Sequence, residues 1–396
     1  MENAVIVDAV RTASGKGKPG GALSGVHPAD LLAELLAALV ERSGLDSSQI
    51  DDVLVGCVSQ VGDQSTNIAR GAVLSAGFDV AVPATTIDRQ CGSSQQAATF
   101  AAQGVMAGGY DVVIAAGVES MSRVPLGAAA GGGSPAGSRL AARFPDGLVN
   151  QGVAAELIAK KWGLSRDELD RFAAESHRRA AEAAASGAFA EEILPITVPG
   201  PGGERLVDRD ETVRSSTTAE GLAGLQPSFR TDELAQRFPD LDWSIHPGNS
   251  SPLTDGASAV LIMSESAAKA LGLRPRARFH SFAVVGDDPL YMLTGPIPAT
   301  HRILRRSGLG IGDIDAFEVN EAFASVPLAW AAEFDVDPAR LNPRGGAIAL
   351  GHPLGASGTR LLTTMLHHLE ATGGRYGLQT MCEGGGMANA TIIERL

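Results

Sequence analysis

Of all the side chains in this 396-residue sequence, Cys91 has the neighbourhood best suited to covalent chemistry. It follows the strand-like Thr85-Thr86-Ile87 and opens a stretch carrying Ala97, Ala98, Ala101 and Ala102 that closes at Gly108-Gly109. A cysteine at a helix N-terminus meets unpaired backbone N–H groups and the positive end of the dipole, which stabilise a thiolate. The competing reading is a small buried hydrophobe, the common role of an intracellular cysteine. Gly92-Ser93-Ser94 favours the nucleophile, because small neighbours let a ligand come close. His352 lies in Gly351-His352-Pro353-Leu354-Gly355-Ala356-Ser357-Gly358, where glycines again allow close backbone approach. Cys382 precedes Glu383 and Gly384 to Gly386, whose N–H groups can form an anion-binding nest. For both segments the competing reading is a plain turn. A thiolate with an imidazole suits acyl transfer through a thioester, since sulfur attacks and leaves readily. A second thiol suits proton transfer to and from carbon.

Other chemistries find little support. There is no GxxxxGK[ST] phosphate loop, and Cys57, Cys91 and Cys382 form neither metal spacing nor a disulfide framework. His27, His177, His246, His280, His301, His367 and His368 lack a comparable context and read as structural or solvated. Hydrophobic residues make up 44% and charged residues 19%, which excludes a disordered chain. A net charge of −13 with 5% aromatics argues against a nucleic-acid partner. A small anionic ligand stays open, because a local patch can oppose the global field. No run of about 18 apolar residues is present, so a membrane span is not expected. The opening MENAVIVDAVRT reads as a strand, leaving no signal peptide, and the final residues match no peroxisomal or retention address. The composition predicts a soluble, reduced, cytoplasmic protein of two or three domains.

The elements that must position these residues alternate between strands and helices. Val5-Ile6-Val7, Val53-Leu54-Val55 and Val112-Val113-Ile114 are continuous apolar runs, as expected of strands buried on both faces. Pro28 to Arg42 is predicted helical, with Leu31, Leu32, Leu35, Leu36 and Leu39 at helical spacing. A layered α/β architecture follows. Ser43-Gly44-Leu45, four residues, then Ile50-Asp51 recurs as Ser307-Gly308-Leu309, four residues, then Ile314-Asp315. Each copy follows a helical pattern and precedes an apolar strand, which makes a duplicated half-domain the better reading. A cleft between two such halves is a natural site. Gly127 to Ser138 cannot pack a core. After it Ser165 and Glu168 form a capping box ahead of Leu169, Phe172 and Ala173, with Gly187 as C-cap. The predicted division is therefore 1–119 plus 248–270 as one half, 120–247 as an inserted loop domain, and 271–396 as the other half.

At this point the residues resemble a family, the thiolases or acyl-CoA acetyltransferases. The resemblance covers the whole chain and rests on several motifs in order. They are Val10-Arg11-Thr12, Asp88-Arg89-Gln90-Cys91-Gly92-Ser93, His246-Pro247-Gly248-Asn249-Ser250-Ser251 and Thr254-Asp255-Gly256-Ala257. Asn320-Glu321-Ala322-Phe323-Ala324, the His352 segment and Cys382-Glu383-Gly384-Gly385-Gly386 complete the set. The resemblance implies that Cys91 carries the acyl group, and that His352 activates it. With a water held by Asn320, His352 would also polarise the CoA thioester oxygen. Cys382 would exchange the α-proton, and the N–H groups of Cys91 and Gly384 would form the oxyanion hole. It implies further that Arg214 and Ser251 contact CoA, that Met292 lies near the acyl pocket, and that Ala322 and Phe323 bind substrate. It implies a layered α/β/α/β/α fold duplicated in two halves and a homo-oligomer, either a dimer or a dimer of dimers. No bound cofactor or metal is implied, with coenzyme A and acyl-CoA as substrates.

Three departures concern substrate binding. Where acetoacetyl-CoA specialists resemble one another in a His-Met pair, this chain has Asn150-Gln151. The usual Gly-x-Thr-Ala-Glu reads Gly152-Val153-Ala154-Ala155-Glu156, and a basic residue often found before proline is replaced by Gln226. The expected activity is thiolytic cleavage of 3-ketoacyl-CoA in the degradative direction, with medium or bulky acyl chains. The alternative is an acetoacetyl-CoA-specific acetyltransferase. A β-ketoacyl synthase would lack the second cysteine, and a non-catalytic acyl-CoA-binding protein would have lost the nucleophile or base.

Overall fold

The computed structural model describes residues 2–200 and 203–396. Nine strands supply the framework of one sheet: β1 (Ala4–Thr12), β2 (Asp52–Gly56), β3 (Ala84–Ile87), β4 (Val112–Ser120) and β5 (Thr254–Ser264), then β6 (Ala277–Gly286), β7 (Ala316–Val319), β8 (Tyr376–Glu383) and β9 (Met387–Arg395). Their order is β7-β8-β9-β6-β1-β5-β4-β2-β3. The seven helices that matter here are α1 (Pro28–Ser43), α2 (Ser93–Met106), α3 (Gln151–Trp162), α4 (Arg166–Ala185), α5 (Pro296–Ser307), α6 (Ser325–Phe334) and α7 (Ser357–Thr372).

The sheet repeats itself. From β1 outward, β5 and β4 pair antiparallel, and β2 then joins parallel. From β6 outward, β9 and β8 pair antiparallel, and β7 then joins parallel. The two half-sheets meet where β1 pairs antiparallel with β6, Val5 opposite Arg278 and Ile6 opposite Ala277. The repeated Ser-Gly-Leu sequences stop equivalent helices. Gly44 closes α1 at φ 65° and Gly308 closes α5 at φ 75°, left-handed positions that glycine takes without a Cβ penalty.

Burial on both faces explains the continuous apolar strands. In β4, Val112 and Ile114 pack on the cluster that includes Leu31, Leu32, Leu35 and Leu36 of α1. Val113 and Ala115 pack on the other side, with Ala97, Ala98, Ala101 and Ala102 of α2 and Leu362, Met365, Leu366 and Leu369 of α7. Helices α2 and α7 therefore form a middle layer, and the small alanine face of α2 is what lets that layer be thin.

The inserted segment is tied to β1 by charge. Arg11, fully buried, bonds Glu192 at 2.7 Å and Asp210 at 2.8 Å. Removing one partner would strand the others without compensation in a dry interior. Helix α4 begins where the sequence predicts, with Ser165 and Glu168 closing a reciprocal capping box. Residues 127–143 are largely exposed.

One boundary differs from expectation. Helix α2 starts at Ser93 with Gly92 as N-cap, so Cys91 stands ahead of the helix and not at its first turn. Gln90 takes φ 50°, and the turn is held as Ser93 Oγ donates to Gln90 O at 2.6 Å and accepts from Arg89 N at 2.9 Å.

The N-terminal ends of α2 and α7 meet with no side-chain volume to spare. A Cβ on Gly358 would stand 2.1 Å from Gln95 N, and one on Gly56 would stand 2.3 Å from Ser94 N. Gly358→Ala is therefore expected to destabilise the protein by at least about 2 kcal/mol, since overpacking against backbone is relieved only by moving a helix. Urea unfolding of the variant beside the parent checks this.

Candidate active site

Cys91 sits in the tight turn just described, 4% exposed. Its own backbone N–H, the N–H of Gly384 and the side-chain amide of Gln151 all face the sulfur and favour its ionised form. Burial, followed by the Glu383 carboxyl, opposes them and wins, pushing the thiol up to about 12. The donors are therefore not the helix-end N–H groups expected from sequence, and burial outweighs them. The resting sulfur is a thiol, because desolvating a thiolate costs more than these donors return.

His352 lies on the connection ahead of α7 and is buried. Its Nδ1 meets Ser357 Oγ at 2.5 Å, while that hydroxyl donates to Pro353 O at 2.7 Å. With its proton committed to Pro353, the serine oxygen accepts from His352 Nδ1–H. That fixes the tautomer and leaves Nε2 as a lone pair. Asn320 Nδ2 faces this Nε2 at 3.4 Å. Burial, then the Arg360 guanidinium, lowers the imidazole to about 3, so it is neutral and able to accept a proton.

Asn320 follows the end of β7, and its N–H donates to Thr380 O on β8, two residues before Cys382. The loop after it is pinned by Glu321, whose carboxylate accepts from Ser176, Asn342 and the Ile348 N–H. Cys382 is fully buried near the end of β8. Burial raises its thiol well above the ordinary range, and the nearby Cys91 raises it further. The strand then turns through Gly384. A Cβ there would lie 3.1 Å from Gln90 Oε1 and 3.5 Å from Gln151 Nε2.

The residues expected to bind substrate divide into two places. Met292, Ala322 and Phe323 share one apolar cluster with Cys382, and Phe229 meets Phe323 edge-on at 6.0 Å. Met292 holds φ 50°, its N–H donating to Asp288 O at 2.8 Å. Arg214 instead lines a cavity of about 420 Å³ with Ser215, Thr218 and Leu222, and Leu222 also belongs to the apolar cluster. Ser251 stands between, its N–H donating to Ala322 O at 3.0 Å. His177, read from sequence as structural or solvated, is buried and faces the Arg214 backbone N–H and guanidinium, both at 3.1 Å.

Sequence reasoning missed three features. Gln151 was read as a change on the acyl side and not as a neighbour of the nucleophile. Ser357 has no role in the sequence reading of the histidine segment. Its signal was a hydroxyl five residues after the imidazole across a proline turn. Glu383 is a buried carboxyl whose two oxygens have no hydrogen-bond partner, and a Cβ on Gly92 would stand 2.1 Å from its Oε1. Among the described residues, no group of three or more His, Cys, Asp or Glu is arranged to hold a metal ion, and no helix is long and apolar enough to cross a membrane.

Duplicated α/β halves that bring two thiols and a neutral imidazole together match one family across nearly the whole chain. The thiolase N-terminal domain matches residues 4–266 and the thiolase C-terminal domain residues 273–395. A steroid 3-ketoacyl-CoA thiolase of Mycobacterium tuberculosis is 50% identical over 404 residues, spanning 100% of this chain and 95% of that protein. A 3-ketoacyl-CoA thiolase of Serratia proteamaculans is 45% identical over 401 residues, with 100% of both covered. The crystal structure of the Bacillus anthracis acetyl-CoA acetyltransferase superposes with a TM-score of 0.89 at 37% identity, covering 100% of this chain and 99% of that one. The chain belongs to the thiolase family, and it is an acyltransferase.

Glu383 gives a test of the site's electrostatics. Burial raises its carboxyl to about 8, with Arg89 pulling it down. An acid whose folded pKa exceeds its unfolded value binds more protons when folded. Its neutral form therefore costs little below about pH 4.5, and stability is lost as pH rises toward about 8. Glu383→Gln should melt above the parent at pH 8, and this difference should shrink toward pH 5. Melting curves at the two pH values check the sign.

Proposed function

We propose that this enzyme cleaves 3-ketoacyl-CoA with coenzyme A, in the degradative direction, giving acetyl-CoA and a shortened acyl-CoA. The observation that carries this reading is the nearness of two buried thiols, Cys91 and Cys382, with the Gly384 N–H beside the first. One thiol can hold an acyl group while the other handles a proton on carbon.

Cys91 attacks the 3-keto carbon of the substrate, and its proton passes to Nε2 of His352. The neutral pair at rest means that this proton leaves as the carbon–sulfur bond forms. The N–H groups of Cys91 and Gly384 receive the oxyanion, where one such donor is typically worth about 10²–10³ in rate. The bond between the 2 and 3 carbons then breaks, leaving the acyl group on Cys91 and an acetyl-CoA enolate. Asn320 and His352 stand at the enolate oxygen, and Cys382 donates its proton to carbon, releasing acetyl-CoA. The thiol of incoming coenzyme A gives its proton to the Cys382 thiolate and attacks the thioester. Cys91 leaves and recovers its proton from His352, so both thiols are restored. Arg214 and Ser251 hold the CoA chain, and Met292, Ala322 and Phe323 line the acyl and pantetheine path.

Medium or bulky acyl chains fit this enzyme best. Relatives carrying the 3-ketoacyl-CoA thiolase name, one of them a steroid 3-ketoacyl-CoA thiolase, support that reading. So does Asn150, which spends its side chain as the α3 N-cap by accepting from Val153 N at 3.0 Å. The sequence division into two halves and an inserted loop domain belongs to the same reading. We further infer a cytoplasmic homo-oligomer, a dimer or dimer of dimers, with no nucleic-acid partner. Leu74, Val80 and Phe100 are 47%, 76% and 44% exposed on segments near the edge strand β3, an apolar surface suited to a second copy.

Brief exposure to acyl-CoA followed by peptide mass mapping should place the acyl group on Cys91, and an adduct only on Cys57 or Cys382 would overturn the assignment. Cys382→Ser should still be acylated yet lose α-proton exchange into acetyl-CoA, because a hydroxyl is a far weaker base than a thiolate. Across chain lengths, kcat/KM for eight-carbon or bulkier 3-ketoacyl-CoA should equal or exceed that for acetoacetyl-CoA. Each well-fitted methylene adds about 1–3 kcal/mol at most, so the profile should change gradually. A steep fall from four carbons to eight would return the enzyme to the acetoacetyl-CoA class.

A further inference from the structure

We propose that His177 is a positioning residue that anchors the Arg214 backbone while leaving its guanidinium unpaired, so that this charge is available to a phosphate of coenzyme A. This rests on the acyl-CoA reading above and deepens it by naming what orients the arginine.

Two contacts define the arrangement. The Arg214 backbone N–H donates to His177 Nδ1 at 3.1 Å, and guanidinium Nη2 stands 3.1 Å from Nε2 of the same ring. A backbone N–H can only donate, so Nδ1 must present its lone pair, and the neutral ring then carries its proton on Nε2. That proton meets the guanidinium, which has donors and no acceptor. The ring therefore holds the Arg214 main chain and offers its side chain no hydrogen bond. Burial, then the guanidinium, lowers the imidazole to about 4, which keeps it in this neutral form. Its place is fixed as well. His177 is fully buried on α4, and Ser176 beside it donates to Glu321 at 2.6 Å and accepts from the Gly346 N–H at 3.1 Å.

Arg214 has no counter-charge of its own. Arg11 and Arg276 each bond two carboxylates, whereas burial lowers the Arg214 guanidinium with no carboxylate to offset it among the described residues. In a chain where 45 acidic residues outnumber 32 basic ones, an arginine kept from all of them is a cation in reserve. It remains exposed, and it lines the cavity of about 420 Å³ together with Ser215, Thr217 and Thr218. A guanidinium beside hydroxyls suits a phosphate, whose oxygens match its planar fork. An acceptor at the Nε2 position would satisfy that fork internally and compete with the ligand.

Calorimetric titration with coenzyme A and with dephospho-coenzyme A tests this in the parent, His177→Glu and His177→Asn. Glutamate sets a carboxylate oxygen near the place of Nε2, where it captures the guanidinium, and Kd for coenzyme A should rise about tenfold or more. Asparagine sets its oxygen near the place of Nδ1, keeps the bond to the Arg214 N–H, and should stay within about threefold of the parent. An equal rise for dephospho-coenzyme A would place the guanidinium at the diphosphate, and a rise for coenzyme A alone would place it at the ribose phosphate. In turnover, the ratio of kcat/KM for coenzyme A to that for pantetheine, which bears no phosphate, should fall in the glutamate variant. A glutamate variant that binds coenzyme A as the parent does, or that loses coenzyme A and pantetheine in equal proportion, overturns the proposal. Should that variant not fold, His177→Gln offers a neutral oxygen at the same place and should raise Kd about threefold. A parent that binds no coenzyme A would refute the acyl-CoA reading itself, whereas a parent that binds it beside unresponsive variants refutes only the role of His177.

Discussion

The site depends on a junction too tight for side chains. Gly56 and Gly117 belong to one half-sheet, Gly355 to the turn just before α7, and Gly358 to the first turn of α7. A Cβ on Gly117 would stand 2.2 Å from Gly355 O, and one on Gly355 would stand 2.6 Å from Gly56 O. The buried Glu119 carboxylate clamps the same place, accepting from the N–H groups of Val58, Ser59 and Gly355. Thr359 N–H crosses from α7 to Ser94 Oγ on α2 at 3.0 Å. Because the backbones touch, the segment carrying His352 and the turn carrying Cys91 are placed by direct backbone packing and not by flexible side chains. Interiors packed this densely transmit even a methyl-sized change.

The same density sets the charge states. Burial holds Cys91 and Cys382 as thiols, His352 as a neutral imidazole and Glu383 close to half-protonated near pH 8. A site of this kind keeps its reacting groups uncharged until substrate supplies a place for charge to go. Fixed donors then matter more than resting ionisation, because they act in a medium that screens poorly. The donors come from three parts of the chain: the Cys91 turn, the turn after β8, and the start of α3.

The segment between β4 and β5 is tied to the sheet and to the site loops by buried polar contacts. Arg11 binds Glu192 and Asp210, and Ser176 on α4 donates to Glu321 beside Asn320. His246 and Asn249 both meet Asp170 of α4, at 2.7 Å and 2.9 Å, which fixes the loop leading to Ser251. The loops that carry Asn320 and Ser251 are thereby both tied to α4. A change in α4 would move Asn320 on one side and Ser251 on the other.

By itself the sequence determined the local structure and which residues are the candidates for the chemistry. The leucine spacing of α1, the Ser165–Glu168 capping box and the repeated Ser-Gly-Leu helix stops are local, so a few neighbouring residues decide them. Cys91, His352, Asn320 and Cys382 were legible because their motifs are short and ordered along the chain. Only the tertiary structure decided what those groups do at rest. The thiol and imidazole ionisations depend on burial by residues far away in sequence, and burial reversed the expectation of a helix-stabilised thiolate. It also decided that Gln151 and Gln90, sixty-one positions apart, both lie beside the Gly384 turn. Ser357 fixes the tautomer of His352 only because a proline turn folds it back. Electrostatics and close packing are properties of neighbours in space, and sequence spacing fixes neighbours only within a turn or two.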